Sequence, residues 1–176
     1  MKKILIVVDM QNDFIDGALY NAEGVKIVPN VIEKINGFDG DIIATFDTHY
    51  GDYLSTLEGK KLPVEHCILG TKGHELNEGV KKALENKNCV YMTKYTFGTF
   101  KIAEYIKANY ERDGFEIELI GLCTDICVVS NALILRAAFP NAVIKVDPSC
   151  CAGVTVESHN AALMTMRACQ IDIEQE

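Results

Sequence analysis

Five apolar runs of strand length punctuate the chain, at residues 4–8, 41–46, 89–92, 117–120 and 142–146. Each is nearly continuous in apolar character rather than alternating, the pattern of strands buried on both faces of a parallel sheet. Between them, residues 25–38, 75–85, 99–110, 125–139 and 156–169 place apolar side chains at helical spacing. Thr155-Val156-Glu157-Ser158 gives the last of these an N-terminal cap and an early acid. Strand and helix patterns that alternate without a break in composition predict one α/β domain over residues 1–176: a three-layer αβα sandwich around a mainly parallel sheet. Neither an internal repeat nor a low-complexity tract or linker interrupts it. One stretch departs from the alternation. Residues 48–73 are irregular and rich in Gly, His and charge, and loops of that length in a compact domain are usually functional or mobile.

Composition narrows the class. With 48% apolar and 24% charged residues, 4 Pro and no Trp, the chain has the make-up of an ordinary globular protein. Its net charge of −8, with Lys and Arg clustered no further than short pairs, repels phosphate backbones and anionic lipid, which argues against nucleic acid and membrane surfaces as partners. The apolar run after Lys2-Lys3 is too short for a signal peptide and ends in Asp9. No stretch approaches the roughly 18 apolar residues of a membrane span. The seven cysteines (Cys67, Cys89, Cys123, Cys127, Cys150, Cys151 and Cys169) are odd in number, widely spaced and without a C-x-x-C pair. This predicts a reducing, cytoplasmic setting rather than a disulfide framework, with most thiols serving as small hydrophobes.

In open parallel sheets, ligands bind beyond the carboxyl ends of the strands. The residues following the predicted strands are Asp9, then Asp47 and His49, then Lys94, then the segment 121–127, then Asp147. There is no G-x-G-x-x-G after a strand, no G-x-x-x-x-G-K-[ST] and no G-x-S-x-G, so the dinucleotide, P-loop and serine-esterase readings lack their signatures. What remains is Gly121-Leu122-Cys123-Thr124-Asp125-Ile126-Cys127-Val128. A helix starting near Thr124 puts Cys127 in its first turn, where the positive helix end favours a thiolate and free N–H groups can hold an oxyanion. Asp9 and Lys94, ending neighbouring predicted strands, supply a base and a cation. Taken singly, each has a plain structural reading: a capping carboxylate, a solvated lysine, a packed helical thiol. Their joint placement favours a cysteine nucleophile, and spacing alone goes no further.

The strings Val8-Asp9-Met10-Gln11-Asn12-Asp13-Phe14, Lys94-Tyr95-Thr96-Phe97 and 121–128 resemble, in order, three motifs of the isochorismatase-like cysteine hydrolases, a superfamily that includes nicotinamidases. The resemblance implies that Asp9, Lys94 and Cys127 form a catalytic triad. It also implies a cis peptide between Leu122 and Cys123, with the N–H groups of Cys123 and Cys127 as the oxyanion hole. Because isochorismatases proper lack the cysteine, covalent amide or imide hydrolysis is expected.

Asp47-Thr48-His49 and Pro63-Val64-Glu65-His66-Cys67-Ile68-Leu69-Gly70-Thr71 are similar to the metal-binding segments of nicotinamidases. By that similarity Asp47, His49 and His66 are ligands, with Glu58 a fourth ligand or a supporting acid. Two imidazoles and carboxylates suit zinc, with iron or manganese as alternatives. Cys67 is expected to be packed rather than ligating, and His74 and His159 to be structural or solvent residues. Asp125 is expected to cap a helix, and Cys150-Cys151 to pack in a turn beside Pro148. Phe14 and Phe97 fall where the family places aromatic walls around the substrate, although core packing is the commoner fate of phenylalanine. The implied activity is hydrolysis of nicotinamide to nicotinate and ammonia in NAD salvage, with a homo-oligomer expected from relatives. Alternatives are an amidohydrolase of the same superfamily acting on a ureido, carbamoyl or maleamate-type substrate, a thiol- or metal-binding module without turnover, and a catalytically silent interaction protein.

Overall fold

The near-continuous apolar runs form the interior of a sheet. In the computed structural model, which describes residues 1–110 and 114–174, the strands are β1 (Lys2–Val8), β2 (Asp41–Asp47), β3 (Cys89–Lys94), β4 (Phe115–Leu122), β5 (Val143–Ala152) and β6 (Asp172–Ile173). They run in the order β3-β2-β1-β4-β5-β6, and every pairing is parallel. The helices are α1 (Ala22–Gly37), α2 (Leu57–Lys61), α3 (Glu78–Glu85), α4 (Phe100–Tyr110), α5 (Val129–Ala138) and α6 (Val156–Ala168).

Period-2 alternation along β1 divides the core in two. Leu5 and Val7 face one cluster with Val31 and Ile35 of α1 and Val80 and Leu84 of α3. Ile4, Ile6 and Val8 face the other, with Ile102 and Ile106 of α4, Leu135 of α5 and Met166 of α6. The result is the expected three-layer αβα sandwich, and its sheet is parallel throughout.

Several local expectations change. β5 does not stop at residue 146; its pairing with β4 jumps from Leu119↔Val146 to Gly121↔Cys151. Residues 147–150 therefore bulge, and Pro148, which has no N–H to give a ladder, sits in that bulge. Asp147 and the Cys150-Cys151 pair thus lie within a strand, not after it or in a turn. β6, only two residues long, escaped the pattern because so short a run carries no periodicity. The third helix begins at Glu78, where the Asn77 side chain accepts from the amides of Gly79 and Val80. The irregular stretch contains the short α2, capped by Thr56.

Away from the carboxyl ends of β1 and β4, Lys34 of α1 lies 2.6 Å from Glu118, 2.7 Å from Asp147 and 3.4 Å from Glu174. These three acids are grouped closely enough to hold a cation, and the lysine ammonium serves as that cation. Burial alone raises Asp147, but Lys34 and Ser149 overcome it and hold the carboxyl below the usual range. Lys34→Met is expected to lower stability by about 2–4 kcal/mol in urea unfolding, since it strands partly buried carboxylates. An acid depressed in the folded state stabilises above its unfolded value, about 3.9, and loses that contribution as pH falls through its lower folded value. The difference between wild type and Lys34→Met should therefore shrink below about pH 4.

Candidate active site

The chain winds from β1 to β2 and β3 on one side, then returns to the other side of β1 with β4. The carboxyl ends of β1 and β4 flank this reversal of strand order, where a crevice opens in folds of this kind. Asp9 follows β1, and the segment 121–127 follows β4. The two strands approach closely at Gly121, which has φ +117; a Cβ there would collide with the carbonyl oxygen of Val8. Only glycine meets both requirements.

The Leu122–Cys123 peptide is cis, and Asp9 has φ 47, a left-handed conformation that a short polar side chain tolerates. Thr124–Val128 forms a π-helical turn leading into α5, so Cys127 sits at a helix start. Asp125 does not cap that turn. Its carboxylate accepts from the amide of Val154 at 3.1 Å, while Thr124 Oγ1 and His159 Nδ1 are 2.8 Å apart.

Lys94, the last residue of β3, is the hub. Its side chain is wholly buried, with Nζ 2.6 Å from Asp9 Oδ2 and 3.0 Å from Asp47 Oδ1. Nζ also donates to Thr96 O at 3.2 Å and to Cys127 Sγ at 3.5 Å. The structure thus brings Asp9, Lys94 and Cys127 together. Asp9 is fixed on its other oxygen by Thr45 Oγ1, which donates at 2.6 Å.

The electrostatics follow from burial. Desolvation raises the Asp9 carboxyl against the pull of Lys94 and Thr45. Desolvation also tends to neutralise Lys94, but Asp9, Cys127 and Asp47 keep it charged well above its ordinary range. Cys127 is driven well above the usual thiol range by burial and then by Asp9, with Lys94 pulling the other way. Burial thus raises both the Cys127 thiol and the Asp9 carboxyl above their ordinary ranges, against the pull of Lys94.

A second cluster adjoins the first through Asp47. Asp47, His49, Glu58 and His66 present one donor atom each, all within 4.8 Å of one another. Asp47 Oδ2 lies 2.9 Å from His49 Nε2 and 3.7 Å from His66 Nε2. Glu58 Oε1 lies 3.7 Å from both imidazoles. These spacings bracket roughly 3.4 Å, the edge of a tetrahedron of ligands at zinc distances. His66 Nδ1 donates to the carbonyl of Val64 at 2.8 Å, which leaves the Nε2 lone pair facing the cluster. Burial tends to raise Asp47, but His49 and Lys94 hold it below the ordinary carboxylate range. The donor set fits a divalent ion. Cys67 lies outside it, fully buried in the apolar core.

Phe14 and Phe97 line one cavity of about 580 Å³ together with Leu19, Leu62, Ile126 and Cys127. Phe14 is buried with its ring edge against His66, 5.6 Å between centroids, whereas Phe97 is 43% exposed at the rim.

Gln11, Asp13 and Tyr53, to which the sequence pattern assigns no task, also shape the site. Gln11 clamps the end of β2: Oε1 accepts from Asp47 N at 2.7 Å, and Nε2 donates to Asp47 O and His74 O, each at 2.9 Å. Asp13 accepts from Cys67 N at 2.7 Å and Ala18 N at 3.0 Å, tying the segment that carries His66 to a cavity wall. Both belong to the D-x-Q-N-D-F string, which was the signal available. Tyr53 packs its ring against His49 and His66, at 4.7 and 5.0 Å, and nothing in the irregular stretch marks it out. His74 is structural as expected, its Nε2 2.8 Å from Thr48 Oγ1.

A three-layer αβα sandwich with an all-parallel sheet thus carries a buried thiol, lysine and carboxylate at its topological switch, beside a set of metal-donor groups. The isochorismatase domain family matches residues 3–175. The nicotinamidase/pyrazinamidase of Mycobacterium tuberculosis is 28% identical over 97% of this chain and 97% of its own. Among solved structures, the nicotinamidase/pyrazinamidase PncA from Bacillus subtilis superposes with a TM-score of 0.87 at 27% identity, covering 99% of this chain and 100% of that one. The pyrazinamidase of Pyrococcus horikoshii in complex with zinc gives 0.81 at 27% identity, with both chains covered completely. The chain belongs to the isochorismatase family. It is an enzyme, a hydrolase acting on amide bonds. No helix among the described residues is long and apolar enough to cross a membrane.

Proposed function

We propose that this protein is a metal-containing nicotinamidase, hydrolysing nicotinamide to nicotinate and ammonia through a thioester on Cys127, in the cytoplasm and within NAD salvage. One observation carries the reading: Lys94 Nζ touches both Cys127 Sγ, at 3.5 Å, and Asp47 of the metal-donor cluster, at 3.0 Å. Nucleophile and metal donors therefore face one largely apolar cavity, which suits an uncharged aromatic amide anchored at its ring and attacked at its carboxamide. The described lining includes no Arg or Lys. A maleamate or a carbamoyl amino acid would bring a carboxylate into this space with no Arg or Lys on the described wall to pair with it, apart from the ion that the donor cluster would hold, which favours an uncharged amide over the alternative substrates.

In the proposed reaction, Asp9 accepts the Cys127 proton as sulfur attacks the carboxamide carbon, and Lys94 holds both groups in place. The amides of Cys123 and Cys127 stabilise the tetrahedral oxyanion. Asp9 returns the proton to the departing ammonia, leaving the thioester. It then takes a proton from the attacking water and passes it to the Cys127 sulfur as the C–S bond breaks, which frees the acid and restores the thiol. Asp47, His49, Glu58 and His66 would hold the divalent ion; bound there, zinc, iron or manganese supplies a Lewis acid for a ring heteroatom of the substrate.

The test is ammonia release from nicotinamide, pyrazinamide and a small panel of carbamoyl and maleamate compounds, with and without chelator. Turnover of the two aromatic amides, lost in step with metal content as chelator removes it, is the expected result. Absence of ammonia from nicotinamide in metal-loaded protein would defeat the assignment.

A further inference from the structure

Asn131, on the first turn of α5, is a completely buried polar residue with no task in the reaction above. Its side chain makes three hydrogen bonds, all to the site. Nδ2 donates to the carbonyl of Cys127 at 2.8 Å and to that of Phe97 at 3.2 Å. Oδ1 accepts from the amide of Thr99 at 3.0 Å. One amide thus joins the turn that carries the sulfur to both ends of the tripeptide Phe97-Gly98-Thr99. The same loop supplies Thr96 O to Lys94 Nζ at 3.2 Å.

Gly98 supports this connection from the other side. A Cβ at Gly98 would press on Ile134 Cδ1 at 2.6 Å and on Ser130 Cβ at 3.2 Å, both side chains of α5. The loop therefore lies directly on the helix, and the close approach that glycine permits brings it within reach of Asn131.

We propose that Asn131 is a positioning residue that holds the Phe97 wall in a fixed relation to Cys127. It acts on the aromatic ring of the substrate through Phe97 rather than by touching the reacting atoms. The inference rests on Cys127 being the nucleophile and Phe97 a substrate wall. Its chemistry is specific to an amide side chain: two carbonyls need donors and one N–H needs an acceptor. Asn131→Asp keeps the acceptor but sets a carboxylate oxygen against two carbonyls.

The experiment is a double-mutant cycle on kcat/KM for nicotinamide with Asn131→Asp and Phe97→Leu, each checked by circular dichroism and metal content. Misplacement of a substrate wall predicts a fall of about 10- to 100-fold for Asn131→Asp. If Asn131 acts through Phe97, the double variant loses little more than the worse single one. Losses that multiply, or a fall under about threefold in the folded single variant, overturn the proposal. Should Asn131→Asp not fold, Gly98→Ala breaks the same contact from the loop side and must show the same non-multiplying pattern. If wild type does not turn over nicotinamide, it is the proposed function that fails. The coupling is then read without an amide substrate, as the alkylation rate of Cys127 by iodoacetamide followed by mass spectrometry. Releasing the loop should raise that rate by about threefold or more in Asn131→Asp, and an unchanged rate refutes the link.

Discussion

Cys127→Ala is expected to reduce kcat for nicotinamide by at least about 10⁴-fold, because covalent catalysis has no substitute once the nucleophile is gone. The fold should survive. The side chain is buried beside Lys94, but Lys94 retains Asp9, Asp47 and the carbonyl of Thr96 as partners. Metal content should also remain at the wild-type level, since the donors Asp47, His49, Glu58 and His66 form a separate group. Ammonia release and metal analysis on one preparation separate the possibilities. Lost turnover with intact metal fits the cysteine hydrolase, whereas unchanged turnover would remove Cys127 from the mechanism.

Asp9→Asn should reduce kcat by about 10³- to 10⁴-fold, the upper range for removing a positioned acid–base group. Asparagine is nearly isosteric, and it accepts the left-handed backbone seen at Asp9, φ 47. The loss is therefore expected in chemistry rather than in folding. The pH profile gives a second readout. Asp9 must be ionised to receive the thiol proton, and burial raises its carboxyl above the ordinary carboxylate range despite Lys94. Activity of the wild type should therefore climb with pH along an acidic limb displaced upward from free aspartate, and that limb should vanish in Asp9→Asn. An acidic limb that persists unchanged in the variant would assign the titration, and the base, to another group.

The two variants probe residues that were legible for different reasons. Cys127 was one thiol of seven, singled out by its place after a strand and at a helix start, and by its string of neighbours. Asp9 and Lys94 are 85 residues apart in the chain, and only their positions at the ends of predicted strands connected them. Glu58 lies outside the two metal-binding strings and entered the set only as a fourth ligand or supporting acid by resemblance to relatives. The fold places it 3.7 Å from both imidazoles. Asp125 and Asp147 show the opposite outcome. Asp125 looked like a cap but receives Val154 N from a distant segment. Asp147 looked like a strand-end residue but lies within β5, bound to Lys34.

By itself the sequence determined the layers and, to within two residues, the carboxyl ends of β1 to β4. Runs apolar on both faces fit only a covered parallel sheet, and such sheets place ligands at their carboxyl ends. It also determined which groups could do chemistry there, because residue type sets what a side chain can donate, accept or attack with. Tertiary structure decided what those groups are. Burying Lys94 between two carboxylates and a thiol sets their protonation states, which depend on desolvation and on distances that no local pattern encodes. The same holds for Asn131. Its amide reads as an ordinary helical position, bonded locally to the Cys127 carbonyl, until folding brings the Phe97 loop against α5 and adds two backbone partners distant in the chain.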